Sequence, residues 1–149
     1  LFFELTSMHH IQQEQDLDAL IHECVLPRLH AGMVIALSGP LGAGKTTFVQ
    51  HLVRILGGAG QVKSPTFSLM RTYVVAHEGL HRVLHIDAYR LAQPQEARVL
   101  NPQEELEEAG TIACIEWPER MESELSFAEA ILRIVITPQE DGTRVVTLV

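Results

Sequence analysis

The sequence predicts an α/β fold in three layers, with a mostly parallel central sheet that gains antiparallel strands towards the C-terminus. Amphipathic helical segments alternate with short continuous apolar runs, the pattern of strands buried on both faces between layers of helix. One such run, MVIALS at 33–38, stands directly before a glycine-rich turn, and the last two apolar runs flank PQEDG, a hairpin signal.

After a short apolar N-terminal run, Leu17, Leu20, Ile21, Cys24, Val25 and Leu29 recur at helical spacing until Gly32 stops them, so a core-facing helix is expected there. Met33 to Ser38 is too short for a helix and is bounded by glycine on both sides, which makes it a buried strand. A second helix begins near Lys45, carries Phe48, Val49, Leu52, Val53 and Leu56 on one side, and ends at Gly57-Gly58. Residues 66–75 and 82–86 read as strands, the latter closing on Asp87, whereas 94–106 is polar and suits short helical turns. Residues 111–115 repeat the buried-strand pattern and close on Glu116, and 130–137 with 143–149 make the terminal hairpin. No repeat, low-complexity stretch or linker interrupts the chain, so residues 1–149 are read as a single domain.

Composition narrows the function. With 46% apolar residues and no apolar run near 18 residues, a membrane-spanning helix is not expected. The formal net charge of -8 repels phosphate backbones and disfavours autonomous nucleic-acid binding. Eight histidines are scattered without an HExxH spacing and are read mostly as surface residues. Cys24 and Cys114 belong to no CxxC or zinc-type cluster, which suits a reducing compartment. The opening LFFELTSMHH lacks a basic stretch and a cleavage site, so a cytoplasmic protein is expected; a start on Leu suggests that residues precede Leu1.

Gly39 to Thr46 reads GPLGAGKT, a match to GxxxxGK[ST], and Thr47 follows. A buried strand before the motif and an amphipathic helix after it are the setting this phosphate loop requires, so the fold is read as a P-loop NTPase. The backbone of Gly39, Pro40, Leu41, Gly42, Ala43 and Gly44 would aim N–H groups inward, and the following helix N-terminus adds positive potential. Lys45 would reach the β- and γ-phosphates of ATP or ADP, Thr46 would offer a hydroxyl to Mg²⁺, and Thr47 completes the cradle.

Phosphoryl chemistry also needs an acid at a strand end. Asp87 after VLHI and Glu116 after IACI both qualify, and periodicity does not choose between them. Trp117 either packs at the strand end or stands at the site mouth against nucleotide or a partner. Arg90 and Arg120 are candidates for an in-cis arginine finger, or else pair with nearby carboxylates. His85 shares a strand side with Asp87 and is read as structural, with Tyr89 beside the acid. The absence of DxxG and NKxD disfavours Ras-like GTPases, and the absence of LSGGQ removes transporter ATPases. No arginine-rich lid is evident, which counts against a small-molecule kinase.

Four motifs together, GPLGAGKTT at 39–47, SPTF at 64–67, HIDAYRL at 85–91 and IEWPER at 115–120, resemble the bacterial TsaE (formerly YjeE) family of tRNA threonylcarbamoyladenosine biosynthesis ATPases. The resemblance implies that Lys45 and Thr46 hold phosphate and Mg²⁺, and that Thr66 lies in a switch-like loop near the γ-phosphate. It further implies that Glu116 is the metal-associated acid and that Asp87 orients the attacking water, directly or through Mg²⁺. Pro65 needs no resemblance: it fixes its own φ and pushes Ser64 away from helix, stiffening that loop. The implied partners are the TsaB and TsaD proteins, with tRNA contacted only indirectly, no membrane, and slow turnover alone. The competing readings are a small-molecule kinase and a nucleotide-gated binding module with negligible turnover.

Overall fold

The computed structural model describes residues 6–65 and 69–149. Its described strands form one sheet, β1 (Ser7–Ile11), β2 (Met33–Ser38), β3 (Met70–His77), β4 (Leu80–Asp87), β5 (Thr111–Glu116), β6 (Ala130–Pro138) and β7 (Arg144–Leu148), in the order β1-β7-β6-β2-β5-β4-β3. The four central strands β6, β2, β5 and β4 are mutually parallel. Antiparallel pairs close both edges, β3 on β4 at one side and β7 on β6 with β1 on β7 at the other.

Strand alternation divides the core in two. Met33, Ile35 and Leu37 of β2 face one side, where α1 (Glu14–Leu20) and α2 (Lys45–Ile55) contribute Leu17, Leu20, Phe48, Val49 and Leu52. Val34, Leu84, Ile86, Ala113 and Ile115 face the other, beneath Ala97, Met121, Leu125 and α3 (Pro102–Glu107). The expected three layers are therefore present. The second helical layer consists of short turns, 94–100, 118–120 and 122–124, as its polar, Pro-punctuated sequence suggested for 94–106.

The helix expected up to Leu29 changes winding twice. Regular α-helix ends at Leu20, a π-helical stretch runs over Ile21–Val25, and a 3₁₀ turn over Leu26–Arg28. Pro27 supplies the reason, since it lacks an N–H and its ring would collide with the carbonyl four residues back in a continued α-helix. A second departure is the tight β3–β4 hairpin. Glu78 and Gly79 turn with φ of 40° and 85°, the double positive φ of a two-residue hairpin turn. Of the predicted strand 66–75, residues 66–68 lie outside the described residues; β3 starts at Met70 and runs on to His77.

Two of the histidines are buried, and His85, read as structural, is one of them. His85 is buried in β4, and His51 is buried where it ties α2 to α1. His51 Nδ1 lies 2.6 Å from an Asp18 carboxylate oxygen that also accepts from Arg54 at 2.7 Å. Burial pushes the Asp18 carboxyl up, but the His51 hydrogen bond and the Arg54 charge outweigh it and hold it below the ordinary carboxylate value. Cys114 is a buried free thiol in β5 whose pKa burial raises, and such a thiol is unreactive. Among the described residues, no helix is long and apolar enough to cross a membrane.

Phe48 is fully buried between α2 and the sheet. Replacing it with Ala is expected to destabilise the fold by about 3–5 kcal/mol, read as a lower urea midpoint at unchanged slope. A loss below about 1 kcal/mol, far short of the usual cavity cost, would mean that α2 does not bury this face.

Candidate functional site

Parallel strands place their carboxyl ends on one edge, and β2, β4 and β5 end there together. Immediately after β2 the chain turns through Gly39–Gly44 into α2. A Cβ on Gly39 would stand 2.5 Å from the Ile136 carbonyl oxygen of β6, so only glycine lets the loop lie this close to the sheet. Gly44 enters the helix at φ 110°, a conformation that favours glycine and leaves the first helical N–H groups facing the loop's hollow.

Lys45 opens α2 and folds back over this loop. Its ammonium donates to the Gly39 carbonyl at 2.7 Å and the Pro40 carbonyl at 2.9 Å, and stands 4.2 Å from the centroid of the Trp117 ring. Burial lowers the Lys45 pKa, while the charges of Glu116, Asp87 and Glu119 work against that fall.

The two acids are register partners. Asp87 and Glu116 sit opposite each other at the ends of β4 and β5, facing the α2 side of the sheet. Glu116, only 4% exposed, accepts from the Thr46 hydroxyl at 2.9 Å and from His85 Nε2 at 2.7 Å. A carboxylate is acceptor-only, so Nε2 carries the donated proton. His85 is itself fully buried, and its Nδ1 has no partner among the described residues. Asp87 accepts from the Ser64 hydroxyl at 3.1 Å and from the Tyr89 backbone N–H at 3.0 Å.

Two bulky residues in left-handed backbone flank these acids. Leu69, at φ 60°, offers its carbonyl to the Asp87 N–H, and Trp117, at φ 59°, donates its N–H to the Leu37 carbonyl. Such conformations each cost about 1–3 kcal/mol and concentrate at functional sites. The turn at Trp117 brings its ring beside Tyr89, with centroids 4.9 Å apart, and Arg120 approaches the other ring at 5.8 Å.

The residues nominated from sequence largely converge. Leu41 through Thr47, Asp87, Glu116 and Trp117 line one cavity of about 450 Å³, and the Gly39 and Pro40 carbonyls hold Lys45 at its floor. Arg90 also lines the cavity, whereas Arg120 reaches the Tyr89 ring. Thr66 lies outside the described residues. Ser64, Tyr89 and Arg144 join the wall without having been assigned a role there. Ser64 stood inside a motif that had been quoted, but Arg144 follows the terminal hairpin turn and belongs to no motif.

With this geometry in place, comparison with known proteins is informative. The family model described as "Threonylcarbamoyl adenosine biosynthesis protein TsaE" matches residues 11–146. The chain belongs to the TsaE family. A Nostoc protein named tRNA threonylcarbamoyladenosine biosynthesis protein TsaE is 41% identical over 78% of this chain and 69% of its own. A Treponema pallidum protein of the same name is 38% identical over 80% of this chain and 84% of its own. The crystal structure of Bacillus subtilis YdiB superposes with a TM-score of 0.71 at 24% identity, covering 99% of this chain and 87% of that one, which supports the fold. The shared TsaE match spans both acids, the phosphate loop and the hairpin that carries Arg144.

Removing His85 would leave the buried Glu116 carboxylate short of a donor. His85→Leu is expected to cost about 1–3 kcal/mol in chemical denaturation, and His85→Gln, which retains an N–H, should recover part of it. Wild-type stability in the Leu variant would show that Glu116 does not depend on this bond.

Proposed function

We propose that this chain binds Mg-ATP on its phosphate loop and hydrolyses it as the ATPase component of tRNA threonylcarbamoyladenosine biosynthesis, working with TsaB and TsaD. The observation that carries the reading is the Thr46–Glu116 hydrogen bond. It joins the hydroxyl of a GKT motif to a buried strand-end carboxylate, with a second acid in register beside it.

The donor set suits Mg²⁺. A hydroxyl and a carboxylate are hard oxygen ligands, and this ion ordinarily takes only one or two protein ligands and fills the rest with water and phosphate oxygens. Thr46 and Glu116 would hold it. When bound, the ion neutralises charge on the β- and γ-phosphate oxygens.

The remaining work falls to the protein. Backbone N–H groups of Gly42 through Thr46 cradle the phosphates, and Lys45 exchanges its two loop carbonyls for phosphate oxygens. His85 fixes the rotamer of Glu116 from below. Asp87, tethered by Ser64 and the Tyr89 N–H, keeps a carboxylate beside the γ-phosphate end to orient the attacking water. Thr66, one residue beyond Pro65, is proposed to sense the γ-phosphate. Trp117 and Tyr89 wall the mouth and limit water entry.

A net charge of -8 suits a subunit that meets tRNA through its partners rather than directly. Free thiols at Cys24 and Cys114 suit a cytoplasmic setting.

Lys45→Ala is expected to weaken Mg-ADP and Mg-ATP binding by about tenfold to a hundredfold, the worth of a charge-assisted hydrogen bond, while the protein stays folded. Trp117 fluorescence reads the binding and a phosphate-release assay with the partners reads turnover. Full partner-stimulated activity in the variant would refute the site. Glu116→Ala should lose the Mg²⁺ dependence of nucleotide binding; an unchanged metal response would transfer that role to Asp87.

A further inference from the structure

The two acids at the strand ends are supported from different kinds of structure. Glu116 takes its donors from a strand and a helix, His85 of β4 and Thr46 of α2. Asp87 relies on Ser64, which lies in a stretch, 58–65, outside any helix or strand. Its Oδ1 accepts from the Tyr89 N–H two residues on, a local turn bond, and its Oδ2 accepts from the Ser64 hydroxyl, 23 residues away in sequence. Donors on both oxygens fix the plane of the carboxylate, whereas the turn bond alone would let it rotate about that contact. The aim of Asp87 therefore depends on what holds Ser64.

Tyr73, a residue of β3 that belongs to no motif, clamps the residue before it. The Tyr73 hydroxyl accepts from the Lys63 N–H at 3.3 Å and donates to the Lys63 carbonyl at 3.2 Å, and a phenol can do both at once. On either side the same stretch is tied down again: Gln50 of α2 donates to the Val62 carbonyl at 2.9 Å, and the Pro65 carbonyl accepts from the Leu69 N–H at 2.7 Å. The clamp itself is set by the sheet. Tyr73 packs half-buried against the α2-side core, and its ring centroid lies 6.3 Å from that of His85, a diagonal neighbour across the β3–β4 pair.

We propose that Tyr73 is a positioning residue for ATP hydrolysis, acting in series through Lys63 and Ser64 to hold the Asp87 carboxylate at the angle from which it orients water. The inference rests on the reading of Asp87 given above and adds what sets that acid's aim. Tyr73 does not line the cavity, and the phosphate cradle of Gly42 through Thr46 does not use it. Loss of its hydroxyl therefore separates two quantities. Nucleotide binding keeps its contacts, while a carboxylate displaced from its working geometry loses rate.

Phosphate release from Mg-ATP in the presence of the partners gives kcat and KM, and calorimetry with Mg-ADP gives affinity. Ser64→Ala is expected to lower kcat about tenfold, the worth of one hydrogen bond, with KM and ADP affinity unchanged; Ser64→Thr, which keeps the hydroxyl, should recover most of the loss. Tyr73→Phe keeps the ring beside His85 and removes only the hydroxyl, and should lower kcat by about threefold to tenfold at unchanged affinity. The double variant is decisive: with the residues acting in series, Tyr73→Phe adds no further loss once Ser64 is replaced by Ala. Losses that multiply in the double variant would overturn the coupling, as would a fall in ADP affinity with kcat intact. Should Tyr73→Phe not fold, the Ser64 pair decides, and an unchanged kcat in Ser64→Ala overturns the proposal. Wild-type turnover that neither single variant alters would overturn this inference alone, whereas wild-type protein that releases no phosphate would refute the hydrolysis reading and this inference with it.

Discussion

The site depends on the burial of one carboxylate. Glu116 is almost inaccessible to water, and a buried charge persists only where hydrogen bonds replace its hydration. Its donors come from separate elements, Thr46 from the first turn of α2 and His85 from β4. Satisfying Glu116 therefore sets the helix that opens the phosphate loop against two neighbouring strands. Parallel pairing of β4 with β5 does the rest, because His85 is two residues before Asp87 and Asp87 is the register partner of Glu116. Sheet register brings His85, Asp87 and Glu116 together, and the Gly39–Gly44 loop, by opening α2 beside them, brings the Thr46 hydroxyl to the same point.

The surrounding layers can be understood as supports for that point. Gly39 lies against β6 so closely that no side chain would fit, which pins the start of the phosphate loop to the sheet. Asp18, His51 and Arg54 bind α1 to the outer face of α2 and hold the helix axis from the other side. Antiparallel edges complete the sheet. The β3–β4 hairpin lets β4 enter from its neighbour with a two-residue turn, and β1 covers the outward edge of β7.

Legibility followed the physics of each signal. Strand β2, the loop and α2 were readable because a double-sided buried strand, a glycine-rich turn and an amphipathic helix occur consecutively. Strand β5 was readable for the same reason, since all six of its residues are buried. Strand β1 was not: Ser7–Ile11 contains two histidines, only Ile11 is buried, and it owes its conformation to pairing with β7. The β3–β4 hairpin turns on Glu-Gly rather than Asn-Gly or Asp-Gly, so its turn chemistry was muted. Both acids were readable as strand ends, but the coupling of His85 to Glu116 spans 31 residues and follows from register, which single-sequence periodicity does not carry. Arg144 had no local signal at all, because its neighbour Gly44 is supplied by a distant segment.

Lys45 makes ligand binding an exchange rather than an addition. Its ammonium already holds two loop carbonyls and faces the Trp117 ring, so a phosphate gains only the difference between those contacts and its own. The same holds for Thr46, whose hydroxyl donates to Glu116 and would have to turn its lone pairs to a metal. A cradle satisfied in this way stays ordered without ligand and avoids the cost of a bare buried cation. On the reading proposed above, a phosphate oxygen would have to outcompete two backbone carbonyls for the Lys45 ammonium, which a charged acceptor is suited to do. Trp117 adds to this threshold. Held in left-handed backbone with its N–H bonded to the Leu37 carbonyl, Trp117 stands against the Lys45 ammonium, so on the reading proposed above a move of Lys45 onto phosphate would give up its contact with that ring.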